Sequence, residues 1–141
     1  MTNTEERLGW NQQIIEEFRA NEGKVGGPFA SLPLTLLTTT GAKTGQARTS
    51  PLAYLPDGDR IVVFASNGGR DTHPLWYRNV LANPAVTVEV GAETYPARAV
   101  EVTGTERDEL YARQVAVVPG FGDYAKTAGR VIPVVALERT A

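Results

Sequence analysis

Residues 34–66 read LTLLTTTGAKTGQARTSPLAYLPDGDRIVVFAS, and the punctuation of this stretch decides the fold. Three segments rich in Leu, Thr, Val and Tyr run from Leu34 to Thr39, Ala47 to Leu55 and Arg60 to Ser66. Gly41 through Gly45 separates the first two, and Pro56-Asp57-Gly58-Asp59 separates the second from the third. That composition predicts strands, and those links predict turns. A parallel crossover needs about a dozen residues or more, so links this short make the neighbours antiparallel.

The pattern resumes downstream. Ala85 to Val90 and Tyr95 to Val102 flank Gly91-Ala92-Glu93, and Val131 to Leu137 follows near the end. Two helices interrupt the series. Pro74 to Ala82 has a proline in its first turn, and Thr105 to Val117 opens with Thr105 and Asp108 at capping-box spacing. Ahead of the strands, residues 3–20 read as a helix that Asn3 and Glu6 cap and Gly23 stops. Its apolar face is Leu8, Asn11, Ile14, Ile15 and Phe18. Trp10 lies off that stripe, where it can face a partner or a membrane surface. About six antiparallel strands with flanking helices predict a mainly β protein, a closed or split barrel, because closure removes exposed strand edges. With no repeat and no linker, residues 1–141 form one domain.

The bulk properties exclude several function classes. Fourteen Lys and Arg against sixteen Asp and Glu show no basic excess, so no nucleic-acid partner is expected. The absence of cysteine removes thiol nucleophiles, disulfides, iron–sulfur clusters and Cys-type zinc sites. The single histidine lacks ligand partners, so no metal is expected. The first twenty residues carry acids where a signal peptide needs basic and then apolar residues. No apolar run approaches the roughly 20 residues of a membrane span. The expectation is a cytoplasmic protein, with peripheral contact to the inner face of the membrane left open by the first helix.

Four segments carry candidate chemistry, each with a plainer reading beside it. Thr40 to Arg48 holds two glycines, Lys43 and Arg48; it is either an anion nest with two cations or a basic hairpin turn in water. It is not a Walker loop, because the terminal Gly-Lys-Ser/Thr order is missing. Ala65-Ser66-Asn67-Gly68-Gly69 lets a flat ring or a phosphate approach the backbone closely, or is simply a flexible loop. Ser66 offers a hydroxyl to a bound carbonyl oxygen. His73-Pro74-Leu75-Trp76-Tyr77-Arg78-Asn79 starts a helix whose aromatics are either core or cofactor contacts. A Ser66–Asp71–His73 triad is disfavoured by the missing nucleophile elbow. Pro119-Gly120-Phe121-Gly122-Asp123-Tyr124 reads as a mobile aromatic lid or as a plain connection with its rings tucked inward. No side-chain set amounts to a catalytic machine by itself; a nest, glycine-lined space and a lid are what a cofactor-dependent enzyme needs.

The segments also occur in an order and spacing that carry a resemblance. They are residues 18–27 (FRANEGKVGG), 36–45 (LLTTTGAKTG), Arg48 with Pro51-Leu52, Ala65 to Gly69, and 74–79 (PLWYRN) with Ala82-Asn83-Pro84. Together they resemble the deazaflavin-dependent nitroreductase family, a branch of the flavin/deazaflavin oxidoreductases with the FMN-binding-like split β-barrel. The resemblance runs from about Asn11 to Leu137.

It implies a bound coenzyme F-420, with FMN as the secondary reading, and an actinobacterial source. Lys43 and Arg48 fall where the family holds phosphate and the oligoglutamate tail. Ala42 and Thr44, with Thr49, Ser50, Pro51, Leu52 and Ala53, continue that groove. Phe64, Ala65, Ser66 and Asn67, with Leu75, Trp76, Tyr77, Arg78 and Asn79, line the deazaflavin and its ribityl chain. Phe121 falls on a lid position near the ring, and Tyr124 and Ser66 orient the substrate. Val118, Phe121 and Ala53 stand where some members carry tyrosine, and Thr44 where serine is commoner. These departures bear on nitroimidazole activation rather than on cofactor binding. The implied activity is hydride transfer from reduced F-420 to a quinone, nitroaromatic or enone, with homodimerisation open. The competing readings are a non-catalytic deazaflavin or lipid carrier and an FMN-dependent split-barrel reductase.

Overall fold

The computed structural model of the chain describes residues 3–25, 33–70 and 72–140, with side chains from Gln12 onward. Leu8, Trp10, Asn11, the Asn3–Glu6 cap and Asp71 therefore lie outside the described side chains. Among the described residues there are six strands: β1 (Leu34–Thr40), β2 (Ala47–Asp57), β3 (Arg60–Phe64), β4 (Ala85–Val90), β5 (Glu93–Val102) and β6 (Val134–Arg139). Helix α1 (Asn3–Ala20) precedes them. Helix α2 (Leu75–Ala82) follows a 3-10 turn at Asn67–Gly69, and α3 (Gly104–Val117) and α4 (Gly120–Ala128) lie between β5 and β6.

The strands close into a barrel in the order β1-β2-β3-β6-β5-β4, every pair antiparallel. Closure comes from Leu36↔Glu89, Leu37↔Val88 and Thr38↔Thr87 between β1 and β4. This matches the expected mainly β barrel with flanking helices.

Strand alternation sorts the apolar residues into two layers. Leu37, Val63, Ala65, Val88, Ala97, Val135 and Leu137 point inward, where Trp76, Tyr77 and Val80 of α2 plug the barrel. Their odd or even neighbours point outward under helices. Leu34 and Leu36 meet Ile14, Ile15 and Phe18 of α1. Leu55, Val62, Phe64, Val102, Val134 and Ala136 meet Leu110 and Tyr111 of α3 and Phe121 and Ala128 of α4.

Three local readings need correction. Residues 119–124, read as a lid or as a connection with its rings tucked inward, are the start of helix α4, with Pro119 as N-cap and Gly129 closing it at φ 64°, and Phe121 is indeed tucked inward. The two glycines suggested a loop, but Phe121 and Ala128 lie two helical turns apart on one buried face, and that burial outweighs the glycine cost. Helix α3 starts at Gly104 with Thr103 as N-cap and no side-chain cap bond, so the Thr105–Asp108 box is not used. The last strand begins at Val134 rather than Val131, since Pro133 has no N–H to donate to a ladder.

The connections divide unequally between the barrel ends. Tight turns at Asp57–Arg60 and Val90–Glu93 close one end. The 41–46 turn, the 65–84 segment and the 103–133 segment all emerge at the other. The four candidate segments at 40–48, 65–69, 73–79 and 119–124 thus belong to one end of the barrel, whereas Gly23 of the 18–27 segment packs on Gly91 at the other.

Candidate cofactor and acceptor site

The 41–46 turn is held by its own backbone. Gly41 N–H donates to the Gln46 carbonyl at 2.8 Å, and Gly45 N–H donates to that of Gly41 at 2.9 Å, with Gly45 at φ 71°. Gln46 N–H donates to Thr44 Oγ1 at 3.2 Å. Ala42 N–H is also engaged, donating to Asn79 Oδ1 at 3.0 Å. Among the described residues, the N–H groups of Lys43 and Thr44 are left without a partner. Lys43 is exposed with no ion pair among the described residues, where Arg48 leans only on Gln46 Oε1, at 3.4 Å. Two amide donors and two cations, with no acid anywhere in residues 40–48, form a donor set that fits phosphate or clustered carboxylates.

Asn79 makes this turn part of the barrel. Its side chain is 1% exposed, and Nδ2 donates to Thr39 Oγ1 at 3.1 Å while Oδ1 holds Ala42. The turn, the last inward residue of β1 and helix α2 are therefore one unit. Thr39 was missed in the sequence because nothing in a Thr run marks which hydroxyl faces inward.

Beyond β3, the chain turns sharply. Asn67 and Gly69 adopt φ 50° and 83°. Ser66 is buried to 8% exposure, and its hydroxyl has no partner among the described residues. Helix α4 lies directly on this turn. A Cβ on Gly69 would stand 2.7 Å from Thr127 Oγ1 and 3.1 Å from Tyr124 Cδ1, so glycine is required there for space as well as for φ. Tyr124 is half-buried, and its ring meets Phe121 edge-on at 5.2 Å.

The remaining candidates divide by strand face. Thr49, Pro51 and Ala53 point outward from β2, half-buried between the parts of the wall that α1 and the α3–α4 pair cover. Thr49 shares a 2.8 Å hydroxyl hydrogen bond with Thr38. Ser50 and Leu52 alternate to the inner side, and Leu52 packs on the interior cluster. Ala65, Trp76 and Tyr77 belong to that interior cluster too. Phe64 and Phe121 face each other edge-on at 5.7 Å beneath α3 and α4, and Tyr111 Oη donates to the Phe121 carbonyl at 2.6 Å. Leu75 and Arg78 are exposed on α2. The structure thus brings Ala42, Lys43, Thr44, Arg48, Ser66, Asn67, Arg78 and Tyr124 to one barrel end, and it covers Phe64, Ala65, Trp76, Tyr77, Asn79 and Phe121 with protein.

Two further groups shape this end. Tyr77 Oη donates to Glu101 Oε1 at 2.7 Å; burial, reinforced by that bond, pushes the phenol up to about 12. His73 lies 4.8 Å from the Tyr77 ring, and its Nδ1 accepts from Arg130 Nη1 at 3.1 Å. Burial first, then the Arg130 and Arg78 charges, hold His73 below its ordinary range, with Glu101 opposing. Glu101 and Arg130 carried no local motif in the sequence. Gly129, the helix stop just before Arg130, was the one available signal.

A model of the family described as F420H(2)-dependent quinone reductase matches residues 10–139. The chain belongs to this family. A F420H(2)-dependent quinone reductase of Mycobacterium tuberculosis is 38% identical over 128 residues, 86% of this chain and 85% of that one. A solved F420-H2 dependent reductase is 39% identical with a TM-score of 0.70, covering 75% of this chain and 94% of its own. A further solved structure, described only as a domain-swapped dimer, is 34% identical with a TM-score of 0.72, covering 97% of this chain and 100% of its own. Membership in the F420H(2)-dependent quinone reductase family makes the chain an oxidoreductase of the deazaflavin branch, as the motif order implied. The mycobacterial relative agrees with an actinobacterial source.

Proposed function

We propose that the chain binds coenzyme F-420 across the open end of the barrel and uses its reduced form to reduce a quinone. The observation that carries this is the 41–46 turn, anchored at Ala42 by the buried Asn79, with two N–H groups unpartnered among the described residues and the exposed cations Lys43 and Arg48 beside them. Lys43 and Arg48, with the N–H groups of Lys43 and Thr44, hold the phosphate and tail. The half-buried outer face of β2 at Thr49, Pro51 and Ala53 continues toward them. Asn67, Arg78 and the start of α2 border the ring, while Trp76, Tyr77 and Asn79 support that border from beneath.

When bound, the reduced deazaflavin supplies a hydride and so moves two electrons at once. The protein's part is orientation and exclusion of water. Ser66 Oγ donates a hydrogen bond to the acceptor oxygen, where charge develops. Tyr124, on the helix that covers the 66–69 turn, borders the same space and contributes a second hydroxyl.

The similarity to a domain-swapped dimer over 97% of the chain supports a homodimer, which light scattering of the purified protein tests. No helix among the described residues is long and apolar enough to cross a membrane. Exposed Leu75 and Val131 at the same barrel end support peripheral contact with the inner membrane face, where quinones reside. Sedimentation with lipid vesicles tests that contact.

The deciding experiment is a fluorescence titration of the purified chain with F-420, followed by oxidation of reduced F-420 in the presence of a quinone. Saturable binding with quinone-dependent oxidation is the expected result. Binding of FMN in its place, or binding of F-420 with no turnover across quinones, nitroaromatics and enones, would overturn the proposal.

A further inference from the structure

Arg130 stands in the short link between α4 and β6, and its guanidinium reaches back across the barrel end into the 65–73 loop. Nε donates to the Arg70 carbonyl at 3.1 Å. Nη1 donates to His73 Nδ1 at 3.1 Å. Nη2 lies within hydrogen-bond distance of three carbonyls, those of Ala65, Ser66 and Thr72, at 3.1, 3.2 and 2.9 Å. One planar group thus ties both ends of the loop that carries Ser66. A lysine ammonium, a single point on a flexible stem, cannot span those acceptors together.

Helix α4 supplies a second tie to the same loop. Thr127 Oγ1 lies 3.3 Å from the Gly69 carbonyl and 3.1 Å from the Asp123 carbonyl of its own helix, so its one proton is shared between them, and Gly69 packs closely on the Thr127 and Tyr124 side chains. Arg130 and Thr127 therefore set the separation between two elements: the turn bearing Ser66 and the helix bearing Tyr124. Those are the two hydroxyls that flank the acceptor.

We infer that Arg130 is a positioning residue for quinone reduction, locking the Ser66 turn against α4 so that both hydroxyls meet the acceptor in one geometry. It touches neither cofactor nor acceptor; it acts through the carbonyls on either side of Ser66. The inference rests on the reductase reading above, and it assigns a role to a residue outside the tail-binding turn. Displacing a positioned group by about 1 Å is enough to slow a reaction by about 100-fold. Release of this loop should therefore appear in kcat while the tail contacts at Lys43 and Arg48 stay intact.

The test compares the wild-type protein with Arg130→Lys and Arg130→Gln on three readouts. The expected result is a fall in kcat of about 10- to 100-fold for quinone reduction, with the F-420 Kd within about twofold of wild type. Arg130→Lys should recover part of the loss seen in Arg130→Gln, because it keeps one donor. His73 is the only histidine in the sequence, so its Hε1 resonance is unambiguous and reports the loop without cofactor. Its titration should move upward in Arg130→Gln, toward the ordinary range. If the resonance moves and kcat does not, the loop has been released without consequence and the inference is wrong. If Kd weakens as much as kcat falls, Arg130 is part of cofactor binding and the inference is equally wrong. Should both variants fail to fold, Thr127→Val carries the test, with a smaller fall in kcat at constant Kd supporting the inference and unchanged kcat overturning it. Failure of the wild-type protein to bind F-420 sinks the reductase reading instead, and the His73 readout remains interpretable.

Discussion

Asn79 of α2 and Ala42 of the β1–β2 turn are joined by a 3.0 Å hydrogen bond from the Ala42 N–H to the Asn79 side-chain oxygen. The same amide donates to Thr39 at 3.1 Å inside the barrel. One buried side chain thereby transmits the rigidity of the core to an exposed turn. Asn79→Ala removes both bonds and leaves Thr39 Oγ1 without its donor. The cost expected is about 1–3 kcal/mol of stability, measured by denaturant unfolding, together with weaker F-420 binding. Unchanged unfolding would remove Asn79 from this role.

Lys43 and Arg48 are expected to act through charge. Lys43→Ala or Arg48→Ala should weaken F-420 binding by about 1.5–3 kcal/mol, roughly 10- to 150-fold in Kd. The wild-type affinity should also fall with added salt more steeply than that of either variant, because exposed charges are screened. Equal salt slopes would place the tail elsewhere.

Gly69→Ala combines two penalties. The backbone sits at φ 83°, and the new methyl would meet Thr127 Oγ1 at 2.7 Å and Tyr124 Cδ1 at 3.1 Å. A loss of about 1–3 kcal/mol and a displacement of α4 are expected, read by thermal unfolding and by tyrosine fluorescence. A variant as stable as wild type would show that α4 yields freely.

His73 makes stability depend on pH. Its folded pKa lies below its unfolded value near 6.5, so the unfolded chain binds the proton more readily. The contribution is fully present above pH 6.5 and is lost as the pH falls through the folded pKa. His73→Asn should flatten the unfolding-versus-pH curve just below 6.5; an unaltered curve would show that burial, with the Arg130 and Arg78 charges, does not depress His73. Tyr77 gives the opposite sign at high pH. Its pKa of about 12 means its contribution persists to pH 10 and is lost as the pH rises through 12. Alkaline ultraviolet titration of Tyr77→Phe should lack this late-ionising phenol.

Phe121 separates a lid from a core. It is 8% exposed, edge-on to Phe64, and its carbonyl accepts from Tyr111. Phe121→Ala is expected to cost about 3–5 kcal/mol in denaturant unfolding, as for a buried aromatic. A cost under about 1 kcal/mol would return the residue to a mobile surface.

The strand set was readable because its evidence is local. Turn residues at 41–45, 56–59 and 91–93 force antiparallel neighbours over a few residues, and closure follows from the need to hide edges. The α4 segment was misread for the same reason. Gly120 and Gly122 signal a loop locally, and only the burial of Phe121 and Ala128 against β3, β6 and α3 overrides them.

From the chain alone came the antiparallel barrel, the cationic turn and, through the order of its motifs, the deazaflavin family. Tertiary structure alone decided which donors in that turn remain open, since Asn79, 37 residues downstream, takes the Ala42 N–H. It alone also brought Arg130, 64 residues from Ser66, onto the Ser66 carbonyl. Hydrogen bonds between distant segments depend on where strands close and which way side chains alternate, and no spacing within a short window encodes that meeting.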